Sequence, residues 1–163
     1  MRFAFFGTPA FAAIILEKLI VAAFVPSMVI CNPDRPVGRK KVVTPPPTKR
    51  LALKYGIPVY QPERLDGDEC RAKIGNVDVA VVAAYTKIIP KEVLAIPRLG
   101  TIGVHSSLLP RHRGATPIQT AILEGDTETG VTIFVMDEKV DHGPMLTRRT
   151  LPIDPTDTYT TLH

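Results

Sequence analysis

Two residues able to move protons stand at suggestive places in the sequence. His105 ends the β-branched run "TIGVH", and Asp141 lies a few residues past the apolar run "IFVM". A carboxylate beside an imidazole orients the ring and favours its charged form. Such a pair can transfer protons or stabilise an oxygen that becomes negative during reaction. Spacing alone does not separate it from a core histidine and an unrelated loop acid. Directly after His105 the chain reads "SSLLPRHRGATP", a rigid basic turn that fits neither strand nor helix.

A second feature is electrostatic. Between Pro33 and Arg50, the cations Arg35, Arg39, Lys40, Lys41, Lys49 and Arg50 stand against one acid, Asp34. The net charge of the whole chain is only +4, so the remainder is close to neutral. A loop this basic suits a polyanion such as nucleic acid, or is a merely solvated loop. Cys31 and Cys70 are too few for a disulfide framework or a metal site, and are expected as reduced thiols. There is no GxGxxG fingerprint, no P-loop and no metal-ligand spacing, so no metal is expected. No apolar run reaches the roughly 18 residues of a membrane span, and no cleavable leader is evident, so the expectation is a cytoplasmic protein without a membrane partner.

The elements that must position these residues follow from pattern. The 163 residues suit one α/β domain with a real core. "RFAFFG" reads as a buried first strand. Thr8 is expected to cap a helix that starts with Pro9 and runs to about Ala23, with Phe11, Ile14, Ile15 and Leu19 on its inner face. "VPSMVICN", "IPVYQP", "VDVAVVAAY" and "GTIGVHS" read as further strands, with "VDVAVVAAY" the most continuously apolar. "PTKRLALKYG", residues 66–75, "PKEVLAI" and "PIQTAILEG" read as helices between or after them. "GVTIFVMDE" and "PMLTRRTLPI" complete the set as two strands, able to form a hairpin. Alternating strands and helices predict a mainly parallel central sheet with helices on both faces, its last strands antiparallel. In such sheets ligands bind beyond the carboxyl ends of strands, where Gly7–Thr8–Pro9, Tyr85–Thr86–Lys87 and His105–Ser106–Ser107 all fall. "DPTDTYTTLH" reads as a cap, Asp157 or Thr158, opening a helix that the sequence does not finish, as expected of one domain of a longer protein.

Taken together, "FAFFGTPAFA", "NPDRPVGRKK", "VVAAYTKIIPKEVLAIPRLG", "VHSSLLPRHRGATPIQ" and "GDTETGVTIFVMDEKVDHGPML" strongly resemble the methionyl-tRNA formyltransferases. "SLLPRHRG" followed by the later aspartate is shared with the wider 10-formyltetrahydrofolate-dependent formyltransferase family; "FGTPAFA" and "PDRPVGRKK" are narrower. The resemblance covers essentially all of residues 1–163. It implies a Rossmann-like formyltransferase catalytic domain lacking the family's carboxy-terminal barrel. It also implies transfer of a formyl group from 10-formyltetrahydrofolate to the amino group of methionyl-initiator tRNA in translation initiation. His105 would donate to the oxyanion, with Asp141 orienting and polarising it. The folate would lie against Tyr85, Lys87, Ile88 and Ile89, and against Ser107, Leu108, Leu109 and Pro110. Arg39, Lys40 and Lys41 would meet the tRNA. A monomer is expected. The alternatives are a related formyltransferase acting on an amino sugar or purine precursor, and a catalytically impaired folate- or RNA-binding remnant.

One position departs from that pattern. Most members carry asparagine two residues before the histidine, where this chain has Gly103. The missing amide removes one oxyanion donor, a loss of about 10²–10³ in rate where such donors have been deleted. Water, Ser106, Ser107 or Thr86 could replace it. On sequence grounds Gly103→Asn is expected to leave the fold intact and to raise, or at least preserve, transfer. Thr86 is a smaller departure, standing where the family usually has glycine.

Overall fold

A computed structural model describes all residues, Met1–His163. The chain forms two compact units, Met1–Thr101 and Ile102–His163.

In the first unit, β1 (Phe3–Phe6) is buried along its whole length, as its unbroken apolar run requires. It leads through Gly7–Thr8–Pro9 into α1 (Ala10–Val21), then β2 (Met28–Ile30). A two-stranded antiparallel hairpin follows, β3 (Arg35–Val37) and β4 (Val42–Thr44), then α2 (Pro47–Lys54) and β5 (Val59–Tyr60). The unit continues with α3 (Gly67–Ile74), β6 (Val79–Ala83) and α4 (Lys91–Leu94). The strand order is β5-β2-β1-β6, parallel throughout, with Phe5 between Val29 and Val81.

Glycine is required at position 7. A Cβ there would lie 2.6 Å from Ala12 Cβ and 2.8 Å from the Ala83 carbonyl oxygen, so α1 can approach the strands only over a bare backbone. That approach selects the inner face of α1, where Ala12 and Leu16 are fully buried while Ile14 is 45% exposed. The expected inner face was therefore wrong at Ile14. The sequence "AFAAIILEKLIV" is apolar nearly all round, so periodicity could not choose a face. The expected Thr8 cap is also corrected: Pro9 is the N-cap and makes no side-chain bond, while Thr8 Oγ1 accepts from the Asn32 amide at 3.2 Å. At α3, Asp66 is the N-cap, its Oδ1 accepting from the Asp68 and Glu69 amides at 3.1 Å each.

The second unit begins within β7 (Thr101–His105), continues through α5 (Pro117–Leu123), β8 (Glu128–Val135) and β9 (Met145–Pro152), and includes α6 (Tyr159–Leu162). Thr158 caps α6 in a reciprocal capping box with Thr161. β7, β8 and β9 are antiparallel neighbours in that order. β7 alternates, burying Thr101, Gly103 and His105, while β9 is exposed at every residue. The α/β class with a mostly parallel sheet and helices holds, and the antiparallel pairings belong to the last strands, as the sequence suggested. No helix is long and apolar enough to cross a membrane.

Candidate active site

The register of β7 on β8 sets the chemistry of the second unit. Gly103 faces Phe134 and His105 faces Thr132, so these four lie on one face of the paired strands. His105 is only 8% exposed. Its Nε2 lies 2.8 Å from the His112 carbonyl oxygen, which can only accept, so the proton sits on Nε2. Nδ1 faces Asp141 Oδ2 at 3.5 Å. The two residues singled out by sequence are thus brought together. The distance is longer than a good hydrogen bond, leaving Nδ1 open to a reacting group.

Asp141 is itself fixed by the basic turn. Its Oδ2 accepts from the Gly114 amide at 2.8 Å, and Arg113 Nε donates to its carbonyl oxygen at 2.9 Å. Asp141 has φ +47°, a left-handed conformation that an aspartate tolerates better than most residues. The turn is closed by its own bonds. Ser107 Oγ donates to the Arg111 carbonyl at 2.6 Å, Thr132 Oγ1 donates to the Ser107 carbonyl at 2.7 Å, and the Leu109 amide donates to Thr132 Oγ1 at 3.1 Å. Ser107 and Leu109 are buried, Leu108 is half-buried and Pro110 is exposed. With its hydroxyl committed to Arg111, Ser107 is a poor replacement for the missing amide donor.

Gly103 has a physical reason that the sequence did not reveal. A Cβ there would fall 2.6 Å from Phe134 Cζ and 3.2 Å from Met136 Cγ, and Phe134 is itself buried. An aromatic ring fills the space into which a side chain at 103 would project. The expectation that Gly103→Asn leaves the fold intact is therefore withdrawn, because asparagine must displace that ring.

The strand-end loop of the first unit is different. Burial raises the Tyr85 hydroxyl well above its ordinary value, and that hydroxyl has no hydrogen-bond partner. The ring packs edge-on against Phe6, with centroids 5.5 Å apart. Lys87 Nζ donates to the Pro62 and Glu63 carbonyls at 2.6 and 2.7 Å. Ile89 is buried, yet Ile88 is 85% exposed.

The basic segment is a hairpin rather than an open loop. Its turn, Gly38–Lys41, presents Arg39, Lys40 and Lys41 to solvent. Lys49 bonds to Asp34 at 2.8 Å and Arg35 to Glu63 at 2.5 Å, so two of the six cations are locally paired. Lys49 and Gln61 hold the Asp34 carboxyl below the usual carboxylate range. The exposed charge that remains is concentrated in the turn.

His112, Glu124 and Asp126 bring possible metal-ligand atoms within 4.8 Å of one another. Arg111 already supplies a cation there, bonding to both Glu124 and Asp126. Sequence spacing hid this group, because the turn after α5 carries Asp126 back to the basic turn.

Residues 1–163 match the family model described as formyl transferase. The chain is 52% identical to methionyl-tRNA formyltransferase of Aromatoleum aromaticum over 165 residues, covering 100% of this chain and 52% of that protein. It is 47% identical to the enzyme of that name from Staphylococcus aureus, covering 98% of this chain and 51% of that one. The chain spans about half the length of the curated relatives it matches. Among solved structures, phosphoribosylglycinamide formyltransferase from Bacillus halodurans superposes with a TM-score of 0.76 at 23% identity, covering 99% of this chain and 85% of that one. That likeness is one of fold.

Proposed function

From membership of the chain in the formyl transferase family, we propose that residues 1–163 form the formyl-transferring domain of an enzyme that formylates methionyl-initiator tRNA, with 10-formyltetrahydrofolate as donor. The acceptor follows from the likeness to the named relatives. The chemistry rests on one observation, the His105 ring held between the His112 carbonyl and the Asp141 carboxylate.

The reaction moves a formyl carbon from a folate nitrogen to an amine, and the formyl oxygen gains negative charge on the way. His105 stabilises that oxygen through Nδ1, the ring position not committed to the backbone, when the ring carries a second proton there. Asp141 lies beside Nδ1 and orients the ring toward that oxygen. Its other oxygen, Oδ1, takes up the proton that the amine loses, directly or through water, and passes it to the departing folate nitrogen as the folate N–C bond breaks. Gly103 brings no donor, so His105 carries the oxygen with less help than two donors would give.

The Tyr85 loop suits the folate. An exposed Ile88 offers apolar contact, and the unpartnered Tyr85 hydroxyl offers a hydrogen bond. Lys87, anchored to two carbonyls, shapes the loop. Arg39, Lys40 and Lys41 contact tRNA phosphates, fixing position more than sequence. The enzyme acts in the cytoplasm as a monomer, and its chemistry calls for no metal.

The test is formylation by the protein of charged initiator tRNA, an amino sugar nucleotide and a purine-precursor amine, each with 10-formyltetrahydrofolate. Formylmethionyl-tRNA as the sole product supports the proposal. Turnover of either small amine with none of the tRNA overturns it.

A further inference from the structure

His112 lies inside the basic turn with φ +53°, a left-handed conformation that ordinary residues with a Cβ disfavour. Something must hold it there. Its side chain is only 7% exposed, and its Nε2 lies 2.6 Å from Asp126 Oδ2, which is also nearly enclosed at 10%. Asp126 belongs to the turn after α5, where its amide bonds to the Ala121 carbonyl at 3.0 Å. Arg111 closes the group from the solvent side, bonding Asp126 through its guanidinium and placing Nε 3.1 Å from His112 Nε2. Arg111 also reaches Glu124 at 3.5 Å, and Glu124 stands 4.0 Å from His112 Nδ1.

His112 Nε2 therefore has an acceptor at 2.6 Å and a donor at 3.1 Å, and in a neutral ring it can serve only one of them. The shorter contact goes to the carboxylate. A proton on His112 Nε2 directed at Asp126 thus locks the ring, and the locked ring fixes the backbone of the same residue. The carbonyl of that residue is the acceptor for His105 Nε2 at 2.8 Å.

We propose that Asp126 is a positioning residue for His105. It grips the His112 ring so that the His112 carbonyl stays in place, keeping the His105 proton on Nε2 and presenting Nδ1 to Asp141 and the reacting oxygen. Sequence patterns point to His105 and Asp141; this places a third residue, a second acid, behind them, acting through a backbone carbonyl. The kinetic part of the idea rests on the formyl-transfer proposal, while the tautomer part does not.

The experiment reads both. In protein labelled with nitrogen-15 on histidine, long-range proton–nitrogen spectra report which ring nitrogen of neutral His105 carries the proton. The wild-type protein is expected in the Nε2–H form. Asp126→Ala is expected to shift His105 to a mixture of tautomers and to lower kcat about tenfold or more, with KM for both substrates within about twofold. Asp126→Asn, which keeps an acceptor for His112 Nε2–H, is expected to restore most of both. Should Asp126→Ala fail to fold, His112→Phe removes the gripped nitrogen while keeping a ring of similar size, and the same tautomer shift is expected. A folded Asp126→Ala or His112→Phe protein with His105 still wholly in the Nε2–H form overturns the proposal. A tautomer shift in a protein whose wild type formylates no tRNA would uphold it and refute the formyl-transfer reading instead.

Discussion

The loop after β7 and the loop after β6 both leave a strand for a turn, yet they are finished in opposite ways. Around His105 the polar groups are matched within the protein: ring nitrogen to His112, carboxylate to Gly114, Ser107 to Arg111, and Thr132 to both sides of the turn. Around Tyr85 a buried hydroxyl is left unmatched and a large apolar side chain faces solvent. A group that must move a proton needs its geometry set in advance, which a closed network provides. A surface that must recognise a ligand keeps some of its bonding capacity for that ligand. Under the proposed function, the first loop does the chemistry and the second the recognition.

Cutting the closed network should do most damage. His105→Ala or Asp141→Ala is expected to lower kcat by about 10²–10⁴ while affinity for a folate analogue changes little, as checked by turnover beside calorimetry. An equal loss of folate affinity would break the division of labour. The hairpin tests recognition from another side. Replacing Arg39, Lys40 and Lys41 together by alanine should weaken tRNA binding about tenfold or more and flatten its salt dependence by about 2 to 3 in log–log slope, with folate binding unchanged. Retention of the wild-type salt slope would argue against phosphate contact.

Two smaller effects sharpen the comparison. Gly103→Asn is expected to destabilise the protein by about 1–3 kcal/mol in denaturant titration, because the ring of Phe134 occupies the space. Adding Phe134→Val should return part of that loss, giving a double-mutant coupling of about 0.5 kcal/mol or more. Strict additivity would show that the two positions do not meet. Tyr85→Phe is expected to leave the unliganded protein equally stable or up to about 1 kcal/mol more stable, since it deletes an unsatisfied hydroxyl, and to weaken a folate analogue by about threefold to tenfold. Unchanged affinity would mean that this hydroxyl meets no ligand.

What could be read from sequence divides along physical lines. Continuous apolar runs such as "FAFF" and "VAVVA" announce buried parallel strands, and Thr158, one of two caps the sequence offered, announces a helix start through short-range bonding. His105 and Asp141 stood out by residue type near strand ends, but only the family resemblance gave them a shared role. The inner face of α1 was hidden, because a helix apolar on all sides carries no directional signal. The β3–β4 hairpin was hidden by its prolines and charge, which read as a loop. The roles of Phe134, His112 and Asp126 were also out of reach. Each depends on register or on a backbone carbonyl, and side-chain patterns carry neither.

The glycine opposite Phe134 also limits how this strand can change over time. No single replacement at position 103 is sterically cheap, and shrinking Phe134 alone would open a hole in the interior. The two positions can drift only as a couple, through intermediates that fold less well than either end. A lineage that has settled on this pairing is therefore held there by packing, whatever selection acts on its rate.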